Sequence, residues 1–314
     1  MVDMGDRPVH IYAVHYREEV WAHADDDGTF DILHLNDTSS LLAGEYEAFV
    51  SVASHGKLAF DESLGDLAFA TNTKEHGIVQ LNLERKEHLE EGVVFYNLTE
   101  LNGEGAVCPG THGIAFSKVN RHLYVECSSS SGIFEFSIDE GRVVKVFKGV
   151  LGQPKTTPDG DYVLVPNKKN STGHILVPKM TGEGSTEDFV FDIPGMPDKV
   201  AFFPKTTSGD ALQLQDYYAF FSLVEPVPET GVAWVDLADV LDAPANGTDR
   251  VVAEVITTGM VERSHRGITR GGPWVATHSW APVSALSVIN AEKKDVLHQV
   301  EGVGNGTRLL YVPK

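Results

Sequence analysis

Short segments that alternate between apolar and polar positions, or that are apolar throughout, recur along the whole chain. A period of two is typical of β-strands, and few stretches show the longer period of an amphipathic helix. Turn sequences such as Asp139-Glu140-Gly141 and Asp159-Gly160 separate these segments. Asp and Gly tolerate the tight geometry of hairpin turns. The pattern therefore predicts an all-β chain of antiparallel strands joined by hairpins.

The clearest repeating unit runs from Cys108 to Val150. It contains four predicted strands, at residues 113–116, 122–126, 133–137 and 142–148. Four strands in about forty residues are typical of one β-propeller blade. Similar units are predicted over residues 50–100, 151–195, 197–257 and 258–302.

The chain ends are predicted to complete one further blade. Residues 8–35 would supply its second, third and fourth strands, and residues 307–313 its first, so that the ring is closed by the N- and C-terminal strands. The prediction is a single β-propeller domain over residues 1–314, with six four-stranded antiparallel blades counted and seven left open.

A polar residue of a metal-binding type precedes the first strand in four of these units. The four residues are His55, His112, Asp198 and His265. The first strand of a propeller blade is the innermost, so the loops entering these strands are expected to converge at one end of the axial channel. Gln153 and Asn305 occupy the matching positions in the two other units.

Three imidazoles and one carboxylate form a complete tetrahedral set of ligands for Zn²⁺. Copper or nickel could use the same nitrogen-rich set. The alternative is that each histidine caps a loop or binds a backbone carbonyl. His278 and His15 are predicted close to the same end of their blades, where a structural role is favoured over an outer layer around the metal or a weaker second site. The run Asp25-Asp26-Asp27 lacks the spacing of an EF-hand loop and is predicted to be a solvated hairpin.

The charge of the chain restricts its partners. The 314 residues include 45 Asp and Glu against 25 Lys and Arg, a formal net charge of −20. Such a field repels nucleic acid and anionic membrane surfaces, whereas it favours cations. No apolar run approaches the roughly 20 residues that span a bilayer, so membrane insertion is not expected.

Sequons and cysteines indicate the compartment. The first residues contain no apolar signal core, so the sequence belongs either to a cytosolic protein or to a mature form whose signal peptide is not included. The sequons favour a secreted or periplasmic mature form that carries N-glycans. They begin at Asn36, Asn97, Asn170, Asn246 and Asn305. Cys108 and Cys127, the only cysteines, are compatible with one disulfide in an oxidising compartment or with two buried thiols.

The segment Cys108-Pro109-Gly110-Thr111-His112-Gly113, followed by a strand ending at Cys127, resembles AztD-type zinc metallochaperones. These are periplasmic β-propellers that pass Zn²⁺ to the solute-binding protein of an importer. The resemblance covers about twenty residues and implies a Cys108–Cys127 disulfide and a zinc ligand at His112. By the same resemblance, His55, Asp198 and His265 complete the site. The chain lacks the His-rich N-terminal stretch of that family and offers only His10, His15 and His23 there.

The sequence thus predicts a protein without catalysis that sequesters or delivers Zn²⁺, with a metal-receiving transport or binding protein as its partner. Nucleophile-elbow, phosphate-loop and H-E-x-x-H motifs are absent from the sequence. Because histidines must be neutral to bind metal, affinity is expected to fall below a pH of about 6.5.

Two alternatives remain from the sequence. One is a metal-dependent lactonase or oxygenase in which Asp198 is not a ligand and the three histidines leave one coordination position open. The other is a protein-docking platform without a metal.

Overall fold

A computed structural model gives the structure of most of the chain. It describes residues 8–24, 29–35, 47–50, 56–85, 93–103, 105–128, 131–180, 184–206, 212–224, 231–243, 250–258, 265–279 and 284–303. These residues fall into two compact units, Met1–Lys148 and Gly149–Lys314. The prediction of a single domain stays a prediction, and the units are described separately below.

The described part of the first unit contains three four-stranded antiparallel sheets. The first sheet consists of β1 (Pro8–Val14), β2 (Glu19–Ala24), β3 (Thr29–His34) and β4 (Glu47–Val50). The second consists of β5 (Leu58–Ala59), β6 (Leu67–Asn72), β7 (Gly77–Asn82) and β8 (Val93–Asn97). The third consists of β9 (Thr111–Ser117), β10 (His122–Cys127), β11 (Gly132–Ser137) and β12 (Arg142–Phe147).

The described part of the second unit also contains three such sheets. The fourth sheet consists of β13 (Lys155–Thr156), β14 (Val163–Asn167), β15 (Thr172–Val177) and β16 (Thr186–Asp192). The fifth consists of β17 (Pro197–Pro204), β18 (Tyr217–Leu223), β19 (Gly231–Asp236) and β20 (Glu254–Thr257). The sixth consists of β21 (His265–Gly271), β22 (Trp274–Ser279), β23 (Ala285–Asn290) and β24 (Asp295–Glu301).

Consecutive strands pair with each other in every described sheet, as hairpin connections require. The core of each unit lies between neighbouring sheets. In the first unit, Phe69 of β6 belongs to one apolar cluster with Phe134 and Phe136 of β11. In the second unit, Phe191 of β16 belongs to one cluster with Phe221 of β18. Middle strands such as β10 and β11 are buried along their whole length.

The strand boundaries confirm the predicted repeat units, but the first sheet differs from the prediction. Its fourth strand is β4, at residues 47–50, and residues 8–34 supply the first three strands rather than the last three. The sheet therefore has four strands without residues 307–313, which lie outside the described residues. The short segment Glu47–Val50 carries little alternation, so the sequence pattern did not separate it from the loop before it.

A short helix, Leu237–Asp242, follows β19. The side chain of Asp236 accepts a hydrogen bond from the backbone N of Ala238 at 2.9 Å and so caps the first turn. Leu237 and Val240 are buried against the fifth sheet and its neighbour.

Candidate functional site

Three of the four predicted ligands occupy one position in their sheets. His112 is the second residue of β9, Asp198 the second residue of β17 and His265 the first residue of β21. Each of these strands is the first of its sheet. His55 lies outside the described residues. Gln153 is buried and stands two residues before β13, the corresponding strand of the fourth sheet.

A β-bulge lies at each of these three positions. In the third sheet, Thr111 pairs with Cys127 and Ile114 with Val125, so His112 and Gly113 together stand opposite Glu126. In the fifth sheet, Pro197 pairs with Leu223 and Val200 with Phe221. Asp198 and Lys199 therefore stand together opposite Ser222. In the sixth sheet the irregularity lies between His265 and Gly267.

The third and fifth sheets satisfy the backbone of this bulge in the same way. The backbone N of Gly113 donates to Oε2 of Glu126 at 3.1 Å. The backbone N of Lys199 donates to Oγ of Ser222 at 3.1 Å. In both cases the side chain opposite the bulge accepts the bond from its second residue. Bulges redirect side chains and are frequent next to functional sites. His112 and Asp198 thus each lie in a bulge that has the same backbone hydrogen bond.

His112 and Glu126 form a pair of donor groups within the first unit. Nδ1 of His112 lies 3.5 Å from Oε2 of Glu126. The imidazole is 29% exposed and the carboxylate side chain 11% exposed. Two ligands bound tetrahedrally to Zn²⁺ at about 2.0–2.1 Å lie about 3.3 Å from each other. The observed separation is close to this value.

A disulfide and two hydrogen bonds fix the segments next to His112 and Glu126. Cys108 and Cys127 form a disulfide, which confirms the predicted bond. Both sulfur-bearing residues are fully buried. The carbonyl of Gly110 accepts hydrogen bonds from the backbone N of Ser128 at 2.8 Å and from its Oγ at 2.9 Å. The segment that precedes His112 is thus fixed to the end of the strand that carries Glu126.

Two threonine hydroxyls connect the second and third sheets at this point. Oγ1 of Thr71 accepts a bond from the backbone N of Lys57 at 2.7 Å and donates to the carbonyl of His112 at 2.7 Å. Oγ1 of Thr111 accepts a bond from the backbone N of Asn72 at 2.9 Å. Lys57 comes two residues after His55 in the sequence. One hydroxyl therefore joins His112 to the segment that follows His55.

The carboxylate of Asp198 binds two lysines in the second unit. Nζ of Lys168 lies 2.5 Å from its Oδ1, and Nζ of Lys199 lies 3.5 Å from its Oδ2. The Asp198 side chain is 5% exposed, and these ammonium groups offset part of the cost of burying its charge. The role of Asp198 as a metal ligand stays a prediction, and a metal ion there would have to compete with Lys168.

The remaining predicted histidines fall at two different places. His278 is buried in β22, and its backbone pairs with Gly267, two residues after His265. His15 is exposed and begins the turn His15–Arg17 between β1 and β2. This turn follows the first strand of its sheet, whereas the sequence interpretation placed it after the second strand. The difference arises because β1 was taken for a second strand.

Some contacts were not found from the sequence. Glu126 was not identified as a neighbour of His112, although antiparallel pairing of strands ending at Cys127 and starting at Thr111 would have placed it there. Lys168 reaches Asp198 from another sheet and leaves no signal in the sequence. Among the described residues, no group of three or more His, Cys, Asp or Glu side chains is arranged to hold a metal ion. The side chains of His55 and His265 lie outside that part of the chain.

Comparison with known proteins identifies the fold. No protein-family model and no curated protein sequence matches the chain. Among solved structures, the chain is similar to U3-55K, with a TM-score of 0.61 and 12% identity over 98% of this chain and 86% of that one. It is also similar to the β-propeller domain of Myceliophteria thermophila Cps50 (Swd1). The TM-score is 0.63 and the identity 10%, over 96% of this chain and 89% of that one.

The fold defined by these sheets and similarities is a β-propeller with six antiparallel four-stranded blades, as predicted. At 10–12% identity the similarity concerns the fold alone. The described residues contain no helix long and apolar enough to cross a membrane. The Cys108–Cys127 disulfide is compatible with an extracellular location.

Proposed function

We propose that the chain is a secreted or periplasmic zinc-binding β-propeller that sequesters or delivers Zn²⁺. The observation that carries the proposal is the bulge at His112, which sets an imidazole nitrogen 3.5 Å from a carboxylate oxygen of Glu126. Imidazole and carboxylate are both ordinary zinc ligands. The proposal adds Glu126 to the ligands predicted from the sequence.

His55 is the proposed third ligand in the first unit. The support for this is that the hydroxyl of Thr71 binds the backbone of both His112 and Lys57, which comes two residues after His55 in the sequence. Asp198 and His265 remain ligands predicted from the sequence, and a tetrahedral site takes its one carboxylate from either Glu126 or Asp198. Their support is that they occupy, in their own sheets, the bulge position that His112 has in the third sheet.

The partial exposure of His112 suits a protein that exchanges its metal. An imidazole that is 29% exposed can be reached by an incoming ion or by the ligands of an acceptor protein. The orientation of Glu126 is fixed by its bond to the backbone N of Gly113, in the way that outer hydrogen bonds usually orient metal ligands. The resemblance of residues 108–127 to AztD-type metallochaperones supports delivery to a partner that binds zinc.

The test is the zinc content of the full chain. Protein purified without added metal, then loaded with Zn²⁺ and dialysed, is analysed by mass spectrometry of the metal. We expect about one zinc per chain at saturation. His112→Ala should lose it, and Glu126→Gln should weaken binding by about tenfold or more. His298→Ala, an exposed histidine on β24, is the matched control and should bind as the parent does.

The same measurement on His55→Ala, Asp198→Asn and His265→Ala tests the other predicted ligands one by one. Retention of zinc by the His112→Ala variant would contradict the proposal. So would an absence of bound zinc in the parent chain after loading.

A further inference from the structure

Lys168 follows β14, and hydrogen bonds fix the turn that carries it. Its backbone N donates to the carbonyl of Leu151 at 2.9 Å. Nδ2 of Asn167 donates to the carbonyl of Gly149 at 3.0 Å, and its Oδ1 accepts a bond from the backbone N of Lys169 at 3.2 Å. The backbone from which the Lys168 side chain extends is therefore held in place.

The fourth and fifth sheets pack against each other, and the side chain of Lys168 bridges them. Leu164 of β14 and Val200 of β17 belong to one apolar cluster. Nζ of Lys155, on β13, donates to the carbonyl of Val200 at 3.0 Å. Asp198 is the second residue of β17. The ion pair between Lys168 and Asp198 thus connects two sheets that are also joined through their cores.

Both oxygens of the Asp198 carboxylate face an ammonium group. Oδ1 lies 2.5 Å from Nζ of Lys168, and Oδ2 lies 3.5 Å from Nζ of Lys199. The Asp198 side chain is 5% exposed, whereas those of Lys168 and Lys199 are 32% and 21% exposed. The carboxylate is therefore buried, while both lysine side chains reach solvent.

The same bulge position carries a different set of groups in the third sheet. There the imidazole of His112 lies 3.5 Å from the carboxylate of Glu126, and both groups can donate an electron pair to a metal ion. In the fifth sheet the residue opposite the bulge is Ser222, and the carboxylate of Asp198 contacts cations. The third sheet thus offers a metal two ligands, whereas the fifth sheet neutralises its one carboxylate internally.

An ammonium group and a zinc ion compete for this carboxylate. Zinc binds carboxylate oxygens at about 2.0–2.2 Å, so an ion on Oδ1 of Asp198 would lie within about 5 Å of the Lys168 ammonium. The two cations repel each other, and because the carboxylate is buried, solvent screens this repulsion poorly. Zinc therefore binds Asp198 well only when the ammonium has moved away.

We propose that Lys168 sets the zinc affinity of the chain by occupying the carboxylate of Asp198. This inference rests on the proposed zinc-binding function. While Lys168 holds Asp198, zinc takes Glu126 as its carboxylate ligand, and its affinity is lower than it would be if the charge of Asp198 were available. Lys168 itself does not bind the metal.

The test is the dissociation constant of zinc from the full chain, measured by competition with a chromophoric chelator. Lys168→Met removes the ammonium that lies 2.5 Å from Asp198, and zinc affinity should rise about tenfold or more. Asp198→Asn should change the affinity of the parent chain by less than about twofold, and in the Lys168→Met background it should abolish the gain.

Two control variants separate competition from a change in net charge. Lys169→Met removes the same charge at the exposed neighbouring residue and should leave the affinity unchanged. Lys168→Arg keeps a cation beside Asp198 and should bind zinc as the parent does.

Loss of one partner of a buried ion pair destabilises a fold, so the circular dichroism spectrum of each variant is recorded. If Lys168→Met does not fold, Lys168→Gln takes its place. Its neutral amide still donates a hydrogen bond, and the same gain in affinity is expected.

An affinity of Lys168→Met equal to or below that of the parent would overturn the proposal. So would a gain that persists when Asp198→Asn is added, or an equal gain in Lys169→Met. A parent chain that binds no zinc would refute the proposed function. The inference about Lys168 would then hold only if Lys168→Met gains zinc binding that the double variant lacks, and it would fail otherwise.

Discussion

Nδ1 of His122 lies 2.8 Å from Oε1 of Glu135, and both side chains are buried within the third sheet. The same oxygen accepts bonds from the hydroxyl of Tyr124 at 3.2 Å and from Nδ2 of Asn120 at 3.1 Å. One fully buried carboxylate therefore satisfies three polar side chains. Such a network stabilises a structure only as long as all its members are present.

Replacing Glu135 by Leu should lower the free energy of unfolding by about 3 kcal/mol, because the buried His122 and Tyr124 and the partly buried Asn120 lose their acceptor. Urea unfolding followed by tryptophan fluorescence measures this change. Glu140→Leu is the matched control. Glu140 pairs with Arg142 at the surface, and its loss should cost less than about 1 kcal/mol. Equal effects of the two substitutions would refute a special role for the buried carboxylate.

Gly132→Ala should destabilise the third sheet by about 3 kcal/mol. Gly132 has a φ of 119°, and a Cβ at this position would lie 2.0 Å from the carbonyl oxygen of Phe147. Gly103→Ala is the control, since a Cβ there meets no atom within 4 Å, and its effect should stay within about 0.5 kcal/mol. Thermal unfolding of both variants measures the two changes in stability. A loss at Gly132→Ala no larger than that at Gly103→Ala would contradict the close contact between Gly132 and the carbonyl oxygen of Phe147.

Lys294 should give the stability of the chain a distinct pH dependence. Its pKa in the folded chain is about 8, below the ordinary value of 10.5. Between these two values the unfolded chain binds more protons than the folded one, so this residue makes stability rise with pH across that window. Stability of the parent relative to Lys294→Met should therefore increase from a pH of about 7.5 to about 9.5.

The comparison with Lys294→Met removes other titrations. Burial raises the pKa of Tyr16, Tyr162 and Tyr217, and these groups make stability fall as the pH rises above about 10. They are present in both proteins and cancel in the difference. A difference that is independent of pH would show that the Lys294 amine is ordinary.

Removal of the disulfide by the double substitution Cys108→Ser and Cys127→Ser should lower stability by about 3 kcal/mol. The bond closes a loop across a sequence separation of 19 residues, and the loss of such a constraint on the unfolded chain accounts for this amount. Denaturant titration measures the change. Thiol titration of the unreduced, unfolded parent protein should give no free thiol, and two thiols per chain would contradict the bond.

Asn170 is expected to carry a glycan when the chain passes through a eukaryotic secretory route. It is exposed in the turn between β14 and β15. Asn97, in another sequon, is only partly exposed, and its Oδ1 accepts bonds from the backbone N of Thr99 and of Glu100. Mass spectrometry of glycosidase-treated peptides should therefore find higher occupancy at Asn170. The Asn170→Gln variant should lose one glycan mass, and an unchanged mass would contradict this prediction.

The sequence predicted the sheets well because each strand shows its period of two locally. The third sheet is the best case, since its four strands and their turns are short and regular. The first sheet was predicted less well, because β4 follows a long connection and contains only Glu47–Val50. Nothing local in such a segment indicates which sheet it joins.

The candidate site was predicted only in part. His112, Asp198 and His265 were predicted just before the first strands of their sheets, and they lie at the first or second residue of these strands. Their role as ligands stays a prediction. Their bulges could not be predicted, because a bulge depends on pairing with a strand elsewhere in the sequence. For the same reason Lys168, which binds Asp198 from another sheet, could not be anticipated.

The hydroxyl of Thr111 accepts its hydrogen bond from the backbone N of Asn72, which belongs to the neighbouring sheet. The amide proton of Asn72 can exchange with solvent only when this contact between the sheets opens. Its exchange rate therefore reports the parting of two blades, whereas amides paired within one sheet report the fraying of that sheet. Hydrogen exchange at the Asn72 amide therefore measures how stably β9, which carries His112, packs against the second sheet.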